Sequence, residues 1–268
     1  MSKRKQRPVA LTIAGSDSGG GAGVQADLKT FAALGVHGAS AIACLTAQNP
    51  KRVSAVEPCS PYMLRRQIEA VFEELNPAAV KTGMLFSKEN VLAVVTFLKK
   101  RKCPLVVDPV LISTGGARLL EPAAVKILVE KLLPLAALVT PNLSEAEILS
   151  CQTIASVEEM RAAARKIQAR FGCAVLVKGG HLKNAAAAVD VFYDGHAERL
   201  LCAPIVKGVR THGTGCTCSA AICAALALGH ALPQAVQIGK EFVTAAISES
   251  YRIGKHFALG DCPAGSRK

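Results

Sequence analysis

Residues Thr211–Thr217 read T-H-G-T-G-C-T, and small residues follow them as far as Leu228. This stretch says most about the architecture, because it predicts a ligand-binding loop that leads directly into a helix. Glycines let a backbone approach a ligand closely, and the free N–H groups at a helix start attract anions. A phosphoryl group in transfer is a natural occupant, since its charge needs fixed donors. The alternative is a glycine-rich helix start with a buried cysteine.

Two further residues bear on that phosphate site. A thiol at a helix N-terminus has a lowered pKa, so Cys216 is predicted to act as a thiolate or a base. Lys178, followed by Gly179-Gly180 at the end of another strand, can pair with a phosphate, although a lysine that only extends to solvent would look the same. The sequence contains no G-x-x-x-x-G-K-[ST], which excludes a Walker loop for any nucleotide.

Upstream of this stretch, short apolar runs alternate with segments of helical periodicity. The predicted strands are Val9–Ala14, Ala39–Leu45, Ala78–Lys81, Leu105–Asp108, Ala137–Thr140 and Ala174–Lys178, with a hairpin over 190–193 and 197–201. The predicted helices are 22–34, 61–75, 88–100, 123–132, 157–171, 215–228 and 232–251. Strands separated by helices indicate an α/β fold with a mostly parallel central sheet and helices on both faces.

Ligands of such sheets bind beyond the carboxyl ends of the strands. Polar residues follow five predicted strand ends, namely Asp17, Lys81-Thr82-Gly83, Asp108, 142–145 and 178–180. Five such placements in one chain are more informative than any one of them. They predict a single site at this edge of the sheet.

The segment Asn142-Leu143-Ser144-Glu145 has two interpretations. Asn142 and Glu145 lie three apart, on one side of an incipient helix, and an amide oxygen with a carboxylate suits Mg²⁺ held through water. The same spacing forms a capping box, which explains the motif without any metal.

The glycine-rich run Gly19–Gly23 follows the first strand and loosely fits a dinucleotide fingerprint. That fingerprint needs an acidic residue about 20 positions later, and none occurs between Leu28 and Val56. Two interpretations of this glycine-rich run remain, a tight turn or a backbone lining for a small ligand. Asp27 is expected on the first turns of the following helix, near the pocket mouth.

The charge of +12, from 32 basic and 20 acidic residues, could indicate a polyanion partner. Ten of the basic residues lie in three clusters, at 3–7, 99–102 and 267–268, and without them about +2 remains. Only eleven aromatic residues, none of them tryptophan, are present for base stacking. Solvated clusters are therefore favoured over nucleic-acid binding, with a non-enzymatic polyanion-binding protein as the alternative.

The 268 residues are predicted to form one domain over 9–260, with a flexible basic N-terminus at 1–8 and a flexible tail at 261–268. Ten cysteines without a C-x-x-C pair indicate small core residues in a reducing cytoplasm. No apolar run approaches the roughly 18 residues of a membrane span, and no secretory leader is expected.

From Val9 to Tyr251 the chain resembles the hydroxymethylpyrimidine/phosphomethylpyrimidine kinases of thiamine biosynthesis, in the ribokinase-like superfamily. The segments that carry the resemblance are GSDSGGGAGVQADLKTF, LTAQN, KTGML, DPV, TPNLSEAE, VKGGH and THGTGCT. It implies a three-layer fold, a homodimer, and use of MgATP. The substrates would be 4-amino-5-hydroxymethyl-2-methylpyrimidine and then its monophosphate.

The resemblance also implies roles for individual residues. On the pyrimidine side they are Gln48, Gly15, Asp27 and Met84. On the phosphate side they are Lys178, the anion hole of Thr211, Gly213, Thr214 and Gly215, and Mg²⁺ residues Asn142, Glu145 and Asp108. Cys216 lies where sugar kinases of the superfamily carry an aspartate base. A pyridoxine or pyridoxal kinase is the alternative, and Gln48 with Cys216 argues against it.

One departure from the family pattern follows Gln48. Residues 49–52 read Asn-Pro-Lys-Arg, where relatives more often carry Thr and Gly, so this flap is expected to close differently. The C-terminal residues from Gly254 match only loosely, and the adenine-side residues are left unassigned.

Overall fold

The computed structural model describes residues 6–111, 120–180, 182, 186–209 and 212–260. Most of the predicted basic N-terminus and all of the predicted tail at 261–268 lie outside this part of the chain. Their flexibility, and the domain limits that depend on it, stay predictions.

Twelve strands lie in the described part of the chain. They are β1 (Val9–Ala14), β2 (His37–Ile42), β3 (Cys44–Asn49), β4 (Arg52–Pro58), β5 (Ala79–Thr82), β6 (Leu105–Val107), β7 (Leu138–Val139), β8 (Ala174–Lys178), β9 (Ala188–Tyr193), β10 (Glu198–Ala203), β11 (Tyr251–Ile253) and β12 (His256–Ala258). Eight of them form the central sheet, in the order β10-β9-β8-β7-β6-β5-β1-β2. From β2 to β8 neighbours pair in parallel, and β9 and β10 add an antiparallel edge. The predicted mostly parallel sheet is confirmed.

The helices of the described residues are α1 (Gly23–Ala33), α2 (Pro61–Glu74), α3 (Lys88–Leu98), α4 (Pro122–Ile127), α5 (Leu143–Ser150), α6 (Val157–Phe171), α7 (Thr214–Ala227) and α8 (Leu232–Ser248). A π-helical turn, Leu128–Leu132, continues α4. None of these described helices is both long and apolar enough to cross a membrane.

Two apolar cores, one on each face of the sheet, make the fold three-layered. The first contains side chains of α2 to α6, and the second contains side chains of α1, α7 and α8. Because strand side chains alternate between faces, Leu11 and Ile13 of β1 join the first core and Ala10 joins the second. Strands buried on both faces explain the continuous apolar runs in the sequence.

Two predicted elements differ from those observed. The strand expected over Ala39–Leu45 divides at Ala43, and its second half pairs with β4 in a separate hairpin, which we call the flap (44–58). At Ile42, the Gln67 side chain accepts from the backbone N–H and donates to the carbonyl oxygen. The backbone groups of Ile42 on that edge of β2 are therefore unavailable to a further strand. The helix predicted to Tyr251 ends at Ser248, and the hairpin of β11 and β12 follows it.

Candidate active site

Polar residues meet at the carboxyl ends of the parallel strands, beside the start of α7. Gly213 caps α7 with a φ of 88°, a left-handed conformation that glycine adopts without steric cost. A Cβ at this position would lie 1.8 Å from the carbonyl oxygen of Gly21. The loop before α7 thus packs directly on the glycine-rich loop after β1, and glycine is needed at position 213 for that contact.

The first turn of α7 has no side-chain cap, because its N-cap residue is glycine. The N–H groups of a first turn have no partner within their own helix, and here they keep the capacity to bind an anion. This is the predicted anion site over Gly213–Cys216. Thr211, which was predicted to belong to it, lies outside the described residues.

Lys178 and Asp108 form an ion pair next to this helix start. The Lys178 Nζ lies 3.0 Å from Asp108 Oδ1, and Ser219 of α7 donates to Asp108 Oδ2 at 3.1 Å. A Cβ on Gly215 would come within 3.1 Å of Lys178 Nζ, so the ammonium group lies against the first turn of α7. Burial opposes ionisation of Asp108, but Lys178 and Lys81 hold the pKa of its carboxyl below the usual range.

Asn142 and Glu145 form the capping box that the sequence offered as one interpretation. The Asn142 side chain accepts from the backbone N–H of Glu145, and the Glu145 carboxylate accepts from that of Asn142. Its other oxygen accepts from the N–H of Leu111 at 3.0 Å. Burial raises the pKa of Glu145 to about 7, although Lys178 opposes this. Both carboxylate oxygens therefore already have protein partners.

The position of Asp27 corrects the sequence prediction. Asp27 is not at a pocket mouth: its side chain is completely buried, as is that of Lys81, and the two form an ion pair at 2.8 Å. Thr12 also donates to Asp27 at 2.6 Å. A carboxylate enclosed in this way cannot hydrogen-bond a substrate directly, and its place is beneath the site.

The prediction of a low thiol pKa at Cys216 is also wrong. Burial raises the pKa of Cys216 to about 11, and the carboxylates of Asp27 and Asp108 add to this, while Lys81 partly opposes it. The position at a helix start is also expected to lower the pKa, but removal of the thiolate from water outweighs it. Cys216 therefore carries its proton at neutral pH.

The flap places Gln48 over the site. Its backbone is held by Ser18, whose Oγ donates to the Gln48 carbonyl oxygen at 2.7 Å and accepts from its N–H at 2.8 Å. Below it, the N–H of Gly15 donates to the carbonyl oxygen of Met84, and a Cβ on Gly15 would come within 2.7 Å of Cys44 Sγ. The structure thus brings Gln48, Gly15 and Met84 to the same end of the sheet.

Comparison with known proteins identifies the family of this chain. A family model described as phosphomethylpyrimidine kinase matches residues 17–260. The chain belongs to the phosphomethylpyrimidine kinase family. A hydroxymethylpyrimidine/phosphomethylpyrimidine kinase of Rhizobium meliloti is 50% identical over 246 residues, which are 91% of this chain and 92% of that one.

Solved structures place this kinase family among vitamin kinases of the same fold. A phosphomethylpyrimidine kinase from Clostridium difficile has a TM-score of 0.78 and 44% identity, over 87% of this chain and 96% of its own. An ADP complex of Bacillus subtilis pyridoxal kinase has a TM-score of 0.89 and 38% identity, over 96% of this chain and 98% of its own. The predicted fold, kinase class and thiamine-pathway family are confirmed, with ATP as the co-substrate of the family.

Asp17 and Lys81 were placed at strand ends by the sequence but given no role, and Ser219 was absent from the predicted set. Asp17 accepts from the backbone N–H groups of Gly19, Gly21 and Ala22, and Lys81 and Ser219 hold the two buried aspartates. The strand-end position of Asp17 and the lysine within an otherwise apolar strand were the available signals. Ser219 lay unmarked in a run of small residues.

Proposed function

We propose that this kinase transfers the γ-phosphoryl group of ATP to the hydroxyl of 4-amino-5-hydroxymethyl-2-methylpyrimidine and then to the monophosphate formed. The observation that carries the proposal is the uncapped start of α7, which lies against Lys178 and is linked through His212 to the flap residue Gln48. One end of this site offers donors to phosphate, and the other offers a carboxamide to a polar ring edge.

On the phosphate side, the amides of Gly213–Gly215 and the ammonium group of Lys178 are proposed to hold the transferring group. Their charge is fixed in place before the reaction, so little reorganisation is needed as negative charge develops. Lys178 would share its protons between Asp108 and a phosphate oxygen, because an ammonium group has three donors.

Mg²⁺ is proposed to accompany the nucleotide. Asp108, Asn142 and Glu145 supply the hard oxygen atoms that the ion prefers, but their oxygens already accept protein hydrogen bonds. No group of three His, Cys, Asp or Glu that could hold a metal occurs among the described residues. The residues fit an ion that is coordinated mainly by phosphate oxygens and water. Asp108, Asn142 and Glu145 would contact its bound water molecules. When bound, the ion would neutralise phosphate charge.

Cys216 is proposed as the base of the first transfer only. The hydroxyl proton of the alcohol would pass to the Cys216 thiolate as the oxygen bonds to phosphorus and the ADP oxygen leaves. In the second transfer the nucleophile is a phosphate oxygen, which is already ionised at neutral pH. Only a small fraction of Cys216 is thiolate at pH 7. The reaction can still proceed, because phosphoryl transfer depends chiefly on the positioning of the reacting groups.

The Cys216→Ser variant tests this division of labour. We expect the rate of the first transfer to fall and that of the second to stay near the wild-type value. Unchanged rates for both transfers would contradict the proposed role. Product analysis with MgATP and the pyrimidine alcohol, which separates mono- and diphosphate, tests the function itself.

Pyridoxal kinase activity is the second candidate, and the TM-score of 0.89 to a pyridoxal kinase supports testing it. Both substrates carry a hydroxymethyl group on a six-membered heteroaromatic ring. ATP consumption is measured with each alcohol in turn. Turnover of pyridoxine or pyridoxal with none of the pyrimidine would reverse the assignment.

We also propose that the enzyme is a cytoplasmic homodimer. The nine described cysteines are all free thiols, which suits a reducing compartment. Leu45 of β3 is 56% exposed, and Tyr62 at the start of α2 is 65% exposed. Large exposed apolar side chains are frequent at interfaces. Sedimentation analysis tests the dimer, with a monomer at micromolar concentration as the contrary result.

A further inference from the structure

One side-chain contact joins the flap to the loop that starts α7. The Nε2 of Gln48 lies 2.8 Å from the Nε2 of His212, which is 164 positions away in the chain. Both side chains are half-buried, and neither belongs to the apolar cores. The contact connects the proposed pyrimidine side of the site with its proposed phosphate side.

The chemistry of the two groups decides which atom donates. A carboxamide nitrogen can only donate, so in this contact His212 Nε2 is the acceptor. On the other side of the carboxamide, Gln48 Oε1 faces the hydroxyl of Thr46 at 3.3 Å. These two neighbours distinguish the nitrogen end of the carboxamide from its oxygen end.

This leaves part of the carboxamide free. Of its two N–H groups one is used by His212, and of its two oxygen lone pairs one faces Thr46, so one donor and one acceptor remain. A 4-aminopyrimidine edge presents one ring nitrogen that accepts and one amino group that donates. The remaining pair matches that edge in a single orientation.

His212 lies against the ordered glycine-rich loop. Its Nε2 is 3.6 Å from Asp17 Oδ2, beyond hydrogen-bond distance, and Asp17 is anchored by the backbone N–H groups of that loop. The Gln48 backbone is separately fixed by Ser18. Loss of the imidazole would therefore free the Gln48 carboxamide while leaving the flap backbone in position.

We propose that His212 is a positioning residue for substrate specificity, which orients the Gln48 carboxamide toward an aminopyrimidine edge. This rests on the proposed function, in which Gln48 contacts the pyrimidine.

The test compares His212→Leu and His212→Gln with the wild type, and uses His196→Leu in the exposed hairpin between β9 and β10 as a control for loss of an imidazole. One lost hydrogen bond predicts a rise of about five- to tenfold in the KM for the pyrimidine alcohol of His212→Leu. The KM for ATP and kcat should stay within about twofold, because the phosphate donors are backbone groups and Lys178. His212→Gln, which keeps an acceptor at similar reach, should recover most of the loss.

A double-variant cycle separates a positioning role from direct substrate contact. In a Gln48→Ala background, His212→Leu should cause no further rise in the pyrimidine KM. A full additional rise, or a change confined to the ATP KM, would overturn the inference. Calorimetric titration of the pyrimidine without ATP repeats the comparison independently of turnover. Wild-type enzyme that binds the pyrimidine but forms no phosphorylated pyrimidine would reject the proposed function, while the effect of His212 on pyrimidine binding could still be measured.

Discussion

Replacement of Gly213 by alanine tests whether the loop before α7 positions the phosphoryl group. The new Cβ would lie 1.8 Å from the carbonyl oxygen of Gly21, and ordinary contact needs about 1.6 Å more. Because the obstacle is backbone, rather than the end of a flexible side chain, the loop itself must move. A displacement of about 1 Å in a catalytic group can lower a rate about 100-fold.

Gly229→Ala supplies a matched control at the other end of the same helix. Gly229 has a φ of 90°, close to the 88° of Gly213, but no atom lies within 4 Å of an added Cβ. In both variants an alanine is forced into the left-handed conformation, which costs about 1–2 kcal/mol. We therefore expect the Tm of each to fall by a few degrees. Only Gly213→Ala adds a collision at the site.

The assay is ADP release with saturating ATP and pyrimidine alcohol, with Tm measured on the same preparations. We expect kcat of Gly213→Ala to fall about 100-fold relative to Gly229→Ala, with secondary structure retained by circular dichroism. Equal kcat values for the two variants would refute the idea that this loop sets the geometry of transfer.

Three further predictions concern buried titratable groups. Lys81→Met leaves Asp27 without its cation, so we expect the free energy of unfolding in urea to fall by about 3–5 kcal/mol. A urea midpoint equal to that of the wild type would contradict a stabilising role for the ion pair. With the pKa of Cys216 at about 11, kcat of the first transfer should rise about tenfold per pH unit from about pH 7 to 9. The kcat of the second transfer should not change over this pH range. If kcat of both transfers is independent of pH, the Cys216 thiolate is not the base. Since the pKa of Glu145 is raised from 4.5 to about 7, its stabilising contribution is complete below pH 4.5 and is lost as the pH rises through about 7. Glu145→Gln should therefore reduce the pH dependence of urea unfolding by up to about 3 kcal/mol across this range.

Most of the sheet could be predicted because its strands are buried on both faces. Such strands appear as uninterrupted apolar runs, and β1 and β8 match their predicted limits residue for residue. The flap could not be predicted in the same way. Arg52–Pro58 has exposed or half-buried residues throughout, so it has no buried face, and the alternation of polar and apolar residues covers only positions 52–55.

The site was predictable in its positions and less so in its energetics. Strand ends and glycines located Asp108, Lys178 and Gly213, since these signals depend on backbone placement. The burial of Asp27 and the raised pKa of Cys216 depend on which side chains of distant segments surround them. Lys81 is 54 positions from Asp27, and a single sequence does not reveal that pairing.

The net charge of +12 has little to do with how this site would hold ATP. Within the described residues, the two lysines beneath the site are each paired, Lys81 with Asp27 and Lys178 with Asp108. A phosphate bound as proposed would therefore share Lys178 with a carboxylate and would take further hydrogen bonds from the amides at the start of α7. A dipolar site of this kind changes little with surface charge, because distant exposed charges are screened within about 10 Å at 0.1 M salt. Replacement of the basic residues at 99–102 by neutral ones should thus leave nucleotide affinity unchanged. A shift of the Gly213 loop should lower that affinity.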